Sequence, residues 1–174
     1  MRLLCSFVLF CATWGTLGIA VGQNSKPSQT QPAITLNISA VQESVKVGSP
    51  VRVRVILKNK SDHDIVVVRE IRGFDCHVDV RDTDGQLAAD TKLGYIWNGH
   101  VANLDLSRVS PQDLTGNLVS GTVGLGETLT WELDASKLYD IKEPGKYTIQ
   151  LKKKDPENPS ITVQSNMITV TVGP

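Results

Sequence analysis

The chain has little of three things. It carries 3 cysteines, but Cys5 and Cys11 both lie in the apolar opening stretch, so Cys76 is alone in everything that follows. With no second thiol in that part, an internal disulfide is excluded and the fold must rest on its hydrophobic core. An excess of either charge is also missing, with 18 basic against 18 acidic residues. Nothing in that balance argues for nucleic acid, whose binders concentrate basic charge on one face, or for an anionic membrane surface. No serine sits in a G-x-S-x-G context, and a catalytic triad needs a positioned nucleophile with its base and orienter.

The first residues are the sharpest feature present. Arg2 supplies a short positive region, and no charged residue occurs from Leu3 to Val21. Ala20 and Gly22 then place small residues before Gln23, the pattern of a cleaved secretory signal over residues 1–22. Thr13, Gly15, Thr16 and Gly18 weaken the competing reading, an uncleaved membrane anchor. Neither Cys5 nor Cys11 lies where a lipid-anchored variant needs it. The expectation is a secreted or periplasmic protein with no membrane span after cleavage. Residues 23–32, polar with two prolines, read as a flexible leader. Residues 33–174 read as a single domain, long enough to bury a sizeable core.

From Ala33 onward apolar residues recur with period two, the mark of strands with one buried and one wet face. Ile34, Leu36 and Ile38 form one such row, and Val51, Val53, Val55 and Leu57 another. Ile65 to Val68 is a short apolar strand, and Cys76, Val78 and Val80 alternate with polar residues. Leu129, Trp131 and Leu133 follow, then Tyr147, Ile149 and Leu151. Ile161 with Val163, and Ile168 with Val170 and Val172, complete the set. Turn chemistry separates them, notably Gly48-Ser49-Pro50, Asp84-Gly85 and Pro144-Gly145. The fold predicted is all-β, an immunoglobulin-like two-sheet antiparallel sandwich with a long irregular insertion at residues 88–124. Within that insertion Ser110-Pro111-Gln112-Asp113 reads as the start of a helical turn, and the stretch reads as a long crossover with that turn and one extra hairpin. Tyr147, or Tyr139 before it, is placed to form a tyrosine corner.

Candidate chemistry is sparse. Cys76 shares a face with Val78 and Val80 and reads as a small core residue. Asp75, His77 and Asp79 lie on the opposite face, about 6.5–7 Å apart at strand rise. They are the metal candidates, although a hard cation needs oxygens that converge more closely than one strand allows. The insertion holds Tyr95, Trp97 and His100. These are the binding candidates, either as a recognition surface carried on a rigid sandwich or, for Trp97, as a cap over the core. Asn37 and Asn59 begin N-x-S sequons, which matter only in a glycosylating host.

Two stretches resemble known families. Residues 45–85, with V-x-V-G-S-P-V-x-V-x-V-x-L-x-N-x-S-D and then Asp75, Val78, Asp82 and Asp84-Gly85, resemble the Ig-like sandwich of the bacterial intracellular proteinase inhibitor family. Residues 126–151, with Gly126-Glu127-Thr128, Leu138-Tyr139-Asp140 and Pro144-Gly145-Lys146-Tyr147-Thr148, are similar to the Ig-like domain preceding deuterolysin-type zinc endopeptidase domains. The chain has no H-E-x-x-H, and no inhibitory loop transfers residue by residue. The resemblance therefore implies the fold and carries no site. The function expected is a non-catalytic secreted or periplasmic binding or accessory domain without a cofactor. Its partner would be another protein or a cell-envelope component. A protease inhibitor is one alternative; a metal-binding protein or hydrolase using Asp75, His77 and His100 is the other.

Overall fold

A computed structural model describes residues 31–68, 76–98 and 120–174. The alternating rows become strands with the expected faces. β1 is Ile34–Ala40, β2 Ser44–Lys46, β3 Arg52–Asn59, β4 Ile65–Val68 and β5 Cys76–Arg81. Helix α1 spans Lys92–Trp97, and β6 (Ser120–Val123) and β7 (Thr128–Asp134) follow. A second short helix, α2 (Ala135–Leu138), precedes β8 (Gly145–Lys154) and β9 (Thr162–Gly173).

These strands form two facing sheets. One is ordered β1-β3-β7 and the other β2-β9-β8-β5, with β4 and β6 paired separately. In immunoglobulin terms the first is the A-B-E layer and the second holds C, F and G. The chain changes layer between β1 and β2, because β2 runs parallel to β9 at Ser44↔Thr171 and Val45↔Val172. The fold is thus an all-β sandwich of the immunoglobulin kind.

Inward rows meet between the layers. Val53, Val55 and Leu57 of β3, with Val78 and Val80 of β5 and Ile149 and Leu151 of β8, are almost fully buried. Burial of a branched aliphatic side chain contributes about 1.5–3 kcal/mol, so these rows supply the cohesion a disulfide would otherwise add. Cys76 is buried in the same row, as its alternation predicts. A bulge in the β8–β9 pairing, between Gln150 and Lys152, then stitches the layers together. It brings the Asn166 amide to Ile38, where Oδ1 accepts from the backbone N–H (2.8 Å) and Nδ2 donates to the carbonyl (2.9 Å). One side chain thereby imitates a strand's hydrogen bonds across the gap between β1 and β9.

The tyrosine corner is formed by Tyr147, whose hydroxyl donates to the Glu143 carbonyl at 2.9 Å. Asp84-Gly85 makes the expected tight turn, with Gly85 at φ 76° and the Asp82 carboxylate accepting from the Asp84 and Gln86 amides. The returning chain makes only a bridge at Arg81↔Leu87 before it leaves for α1. Two expectations are corrected. Val163 and Ile168–Val172 belong to one continuous β9, which begins just after Ile161, since the bulge absorbs the break in their alternation. Asn59 is no glycosylation acceptor: it is fully buried, and its Nδ2 donates to the carbonyls of His63, Val123 and Gly124. The helical turn expected at Ser110–Asp113 lies outside the described residues.

Candidate functional site

The helices α1 and α2 pack together where the insertion leaves the sandwich. Thr91 caps α1, its Oγ1 accepting from the Gly94 amide at 3.0 Å while its own N–H donates to the Leu138 carbonyl at 2.9 Å. The same hydroxyl donates to the Lys137 carbonyl at 2.5 Å, so one threonine ties the start of one helix to the end of the other. Asp90 and Tyr139 form an isolated antiparallel bridge beside this knot. Gly94 is required by proximity, because a Cβ there would lie 1.7 Å from the Leu138 carbonyl oxygen. Ile96 and Trp97 turn into the protein, and Trp97 joins the core cluster with 8 % of its surface exposed.

Among the described residues three clefts border this helical cap, and two of them involve Trp97 or Asn98. The larger, of about 410 Å³, lies along the outer edge of β5 and is lined by His77, Asp79, Leu87, Asn98, Tyr139 and Lys152 among others. Its inner wall is a hydrogen-bonded relay. The Tyr139 hydroxyl donates to the Val78 carbonyl and accepts from Asn98 Nδ2 at 3.0 Å, and that nitrogen also donates to Asp90 Oδ1 at 2.7 Å. Burial pushes the Tyr139 phenol up to about 12, against a smaller opposing effect of the Asn98 bond. It therefore stays a neutral, fixed donor through the ordinary pH range. Asn98 Oδ1, also buried, has no hydrogen-bond partner among the described residues.

The second cleft, of about 370 Å³, lies on the other side of α1 against the edge of β7. Leu93, Leu133 and Leu138 supply its apolar wall, and Arg52, Lys137 and Trp97 its donors. Trp97 Nε1 is buried with no acceptor among the described residues. A native structure leaves few such groups, and each costs about 1–3 kcal/mol when unmet.

The residues singled out from sequence are scattered across this picture. His77 and Asp79 both line the larger cleft, but Asp79 already pairs with the Lys152 ammonium at 2.9 Å. No group of three metal-ligating side chains occurs among the described residues. Asp75 and His100 lie outside those residues, so the metal set and the hydrolase set are only partly placed. Tyr95 sits half-buried on α1, and Trp97 occupies the core-capping position, its ring turned away from solvent. Sequence reasoning passed over Asn98, Asp90, Arg52 and Lys137. Asn98 directly follows the flagged Trp97, but its role depends on Tyr139, 41 positions away.

The other perturbed ionisable groups lie elsewhere and are structurally engaged. His63 lies in the turn between β3 and β4. Its Nδ1 meets Asp62 Oδ1 at 2.7 Å and its Nε2 meets Glu157 Oε1 at 2.6 Å. Those bonds, Asp62 first and then Glu157, raise its pKa above the usual imidazole range. Burial raises the Tyr147 phenol, the corner residue.

No family model matches the chain, and no curated protein matches its sequence. Among solved structures it is similar to the CARDB domain of a Pyrococcus furiosus protein, solved with di-metal ions, at 13% identity and a TM-score of 0.39 over 82% of this chain and 89% of that one. A β-glucosidase from Listeria innocua in complex with glucose is similar at 15% identity and a TM-score of 0.40, but the match spans only 16% of that enzyme. An ASH/PapD-like domain of human CEP192 is similar at 11% identity and a TM-score of 0.32, over 89% of this chain and 95% of that domain. Likenesses this distant assign neither a family nor a ligand. Within the described residues no helix is long and apolar enough to cross a membrane.

Proposed function

We propose that the protein is a non-catalytic binding or accessory domain, exported by its first 22 residues, whose recognition end is the α1–α2 cap. One observation carries this reading. The two adjacent residues Trp97 and Asn98 each bury a polar atom without a partner among the described residues, and each lines one of the clefts that flank α1. Buried polar atoms are normally satisfied, and when they are not, a ligand is a physical means of completing them. The perturbed titratable groups give no support to catalysis: Tyr139 and Tyr147 are locked to backbone carbonyls and His63 is held between carboxylates. The partner in this reading is another protein or a cell-envelope component, met outside the cytoplasm.

A fragment screen followed by two-dimensional NMR tests the recognition end. Reproducible hits should displace amide resonances within residues 87–98 and 134–140 and leave residues 60–64 and 155–161 unmoved. Hits confined to the latter turns, or to the outer faces of the sheets, would overturn the assignment. Export is tested separately, by finding Gln23 at the N-terminus of the protein recovered from an expressing host.

A further inference from the structure

We infer that the open edge of β7 pairs antiparallel with β7 of a second copy of this chain, an inference that does not rest on the α1–α2 cap. The register shows which groups that edge presents. The Asn59 amide donates to the Glu127 carbonyl at 3.0 Å and the Ala135 amide to the Val51 carbonyl at 2.8 Å, both in line with the β3–β7 pairing. The odd-numbered residues of β7 therefore bond to β3. The N–H and C=O groups of Thr128, Thr130, Glu132 and Asp134 point the other way, and they have no strand to bond among the described residues. The remaining edges of the two facing sheets are blunted. On β1, both backbone groups of Ile38 are taken by Asn166. On β5, the Val78 carbonyl accepts from Tyr139 and the Val80 carbonyl from the Ala88 amide at 2.9 Å. β2 has only 3 residues. β7 runs for 7 residues without a bulge, a proline or a lysine, the devices that usually guard an edge.

The side chains of β7 make the strand complementary to itself. On its inner face Leu129, Trp131 and Leu133 are only half-buried, whereas Leu57, Val55 and Val53, opposite them on β3, are almost fully buried. An added strand would cover that row. With Trp131 on a two-fold axis, Leu129 meets the second copy's Leu133 and the two Trp131 rings meet each other. On the wet face Thr128 then lies opposite the second copy's Asp134, and Thr130 opposite the second copy's Glu132. A hydroxyl faces a carboxylate at every such pair, and all the outward N–H and C=O groups of both edges are used. Other registers lose this match. A slide of one residue sets outward groups against groups that already bond to β3. A slide of two residues either opposes Glu132 to the second copy's Glu132 or draws Gly126, a turn residue at φ 73°, into the pairing. In the favoured register the two β1-β3-β7 layers become one continuous sheet.

Sedimentation equilibrium tests the pairing. The protein should reach a dimer as its concentration is raised to the order of hundreds of micromolar. Thr130→Pro removes one outward N–H, at an edge position where proline does not disturb the bonds to β3. Because the axis repeats the change, two bonds between copies are lost, and the dimer should weaken by at least about tenfold. Thr130→Val keeps the N–H and should dimerise as the native chain does. Cysteine pairing tests the register, and it stands even where the proline variant fails to fold. Thr130→Cys mixed with Glu132→Cys should form a disulfide between copies, because directly opposite residues lie about 5.5 Å apart between Cα atoms, within disulfide reach. Either variant alone should form far less, since its thiols lie two positions out of step. A chain that stays monomeric throughout that concentration range overturns the inference. So does a dimer indifferent to Thr130→Pro, or crosslinking as strong within one variant as in the mixture.

Discussion

The two ends of the sandwich are built on opposite terms. At one end, where β3 finishes at Asn59, polar groups are used almost to completion. The Asn59 amide donates to three carbonyls and its oxygen accepts from the Ser61 amide (2.8 Å) and hydroxyl (2.7 Å). The buried Asp155 carboxylate accepts from the amides of Ala33 (2.6 Å), Glu157 and Asn158 (both 3.0 Å), and His63 bridges the neighbouring turns. At the other end, where β3 begins at Arg52, Trp97 Nε1 and Asn98 Oδ1 are buried without a partner among the described residues, and a cleft opens on each side of the helix. In the proposed reading the first end serves stability and the second recognition.

This contrast can be broken most forcefully at Gly94. Gly94→Ala drives a Cβ into the Leu138 carbonyl, so α1 must separate from α2. We expect a loss on the order of 3 kcal/mol in thermal or denaturant unfolding, with red-shifted tryptophan emission from Trp97. Unchanged emission and stability would mean that the helices do not meet as described. Asn59→Ala strikes the satisfied end. It strands three carbonyls and the Ser61 donors, and should cost about 2–3 kcal/mol of unfolding free energy while leaving any ligand affinity intact. Affinity lost in step with stability would deny that the ends are separable. Tyr147→Phe removes only the corner bond to Glu143 and should cost about 1 kcal/mol by the same measurement.

The smallest effect belongs to His63. Its folded pKa is raised, so its contribution is complete below 6.5, the unfolded value, and is lost as pH rises through the folded value. Glu157→Gln should move the His63 resonances' titration back toward 6.5 without reaching it, because Asp62, the stronger influence, remains. A midpoint unaffected by that change would remove the bridge between the turns.

Much of the scaffold was legible because burial imposes period two on strands. Ile34–Ile38 and Tyr147–Leu151 show it unbroken, and Val53–Leu57 shows it with only Ile56 breaking the pattern; each lies within a strand with the expected face inward. β2 was missed because Ser44–Lys46 buries only Val45, too short a segment to display a period. α1 was missed because Lys92–Trp97 is six residues long and holds Gly94, which is poor for an isolated helix. It is held there by tertiary contact, through Thr91 and the Leu138 carbonyl, and no local pattern announces such a contact. The candidate site was less legible still. Trp97 stood out by residue type, but its cleft is assembled from Arg52, Leu133 and Lys137, which only the sheet register and α2 bring beside it.

Native-state hydrogen exchange compares the two ends most directly. The amides of Tyr95 and Asn98, both bonded within α1, should exchange through openings of lower free energy than those of Asn59, Lys60 and Ser61. Uniform protection across both ends, or an α1 more protected than the Asn59 turn, would contradict the division between a closed end and a receptive one.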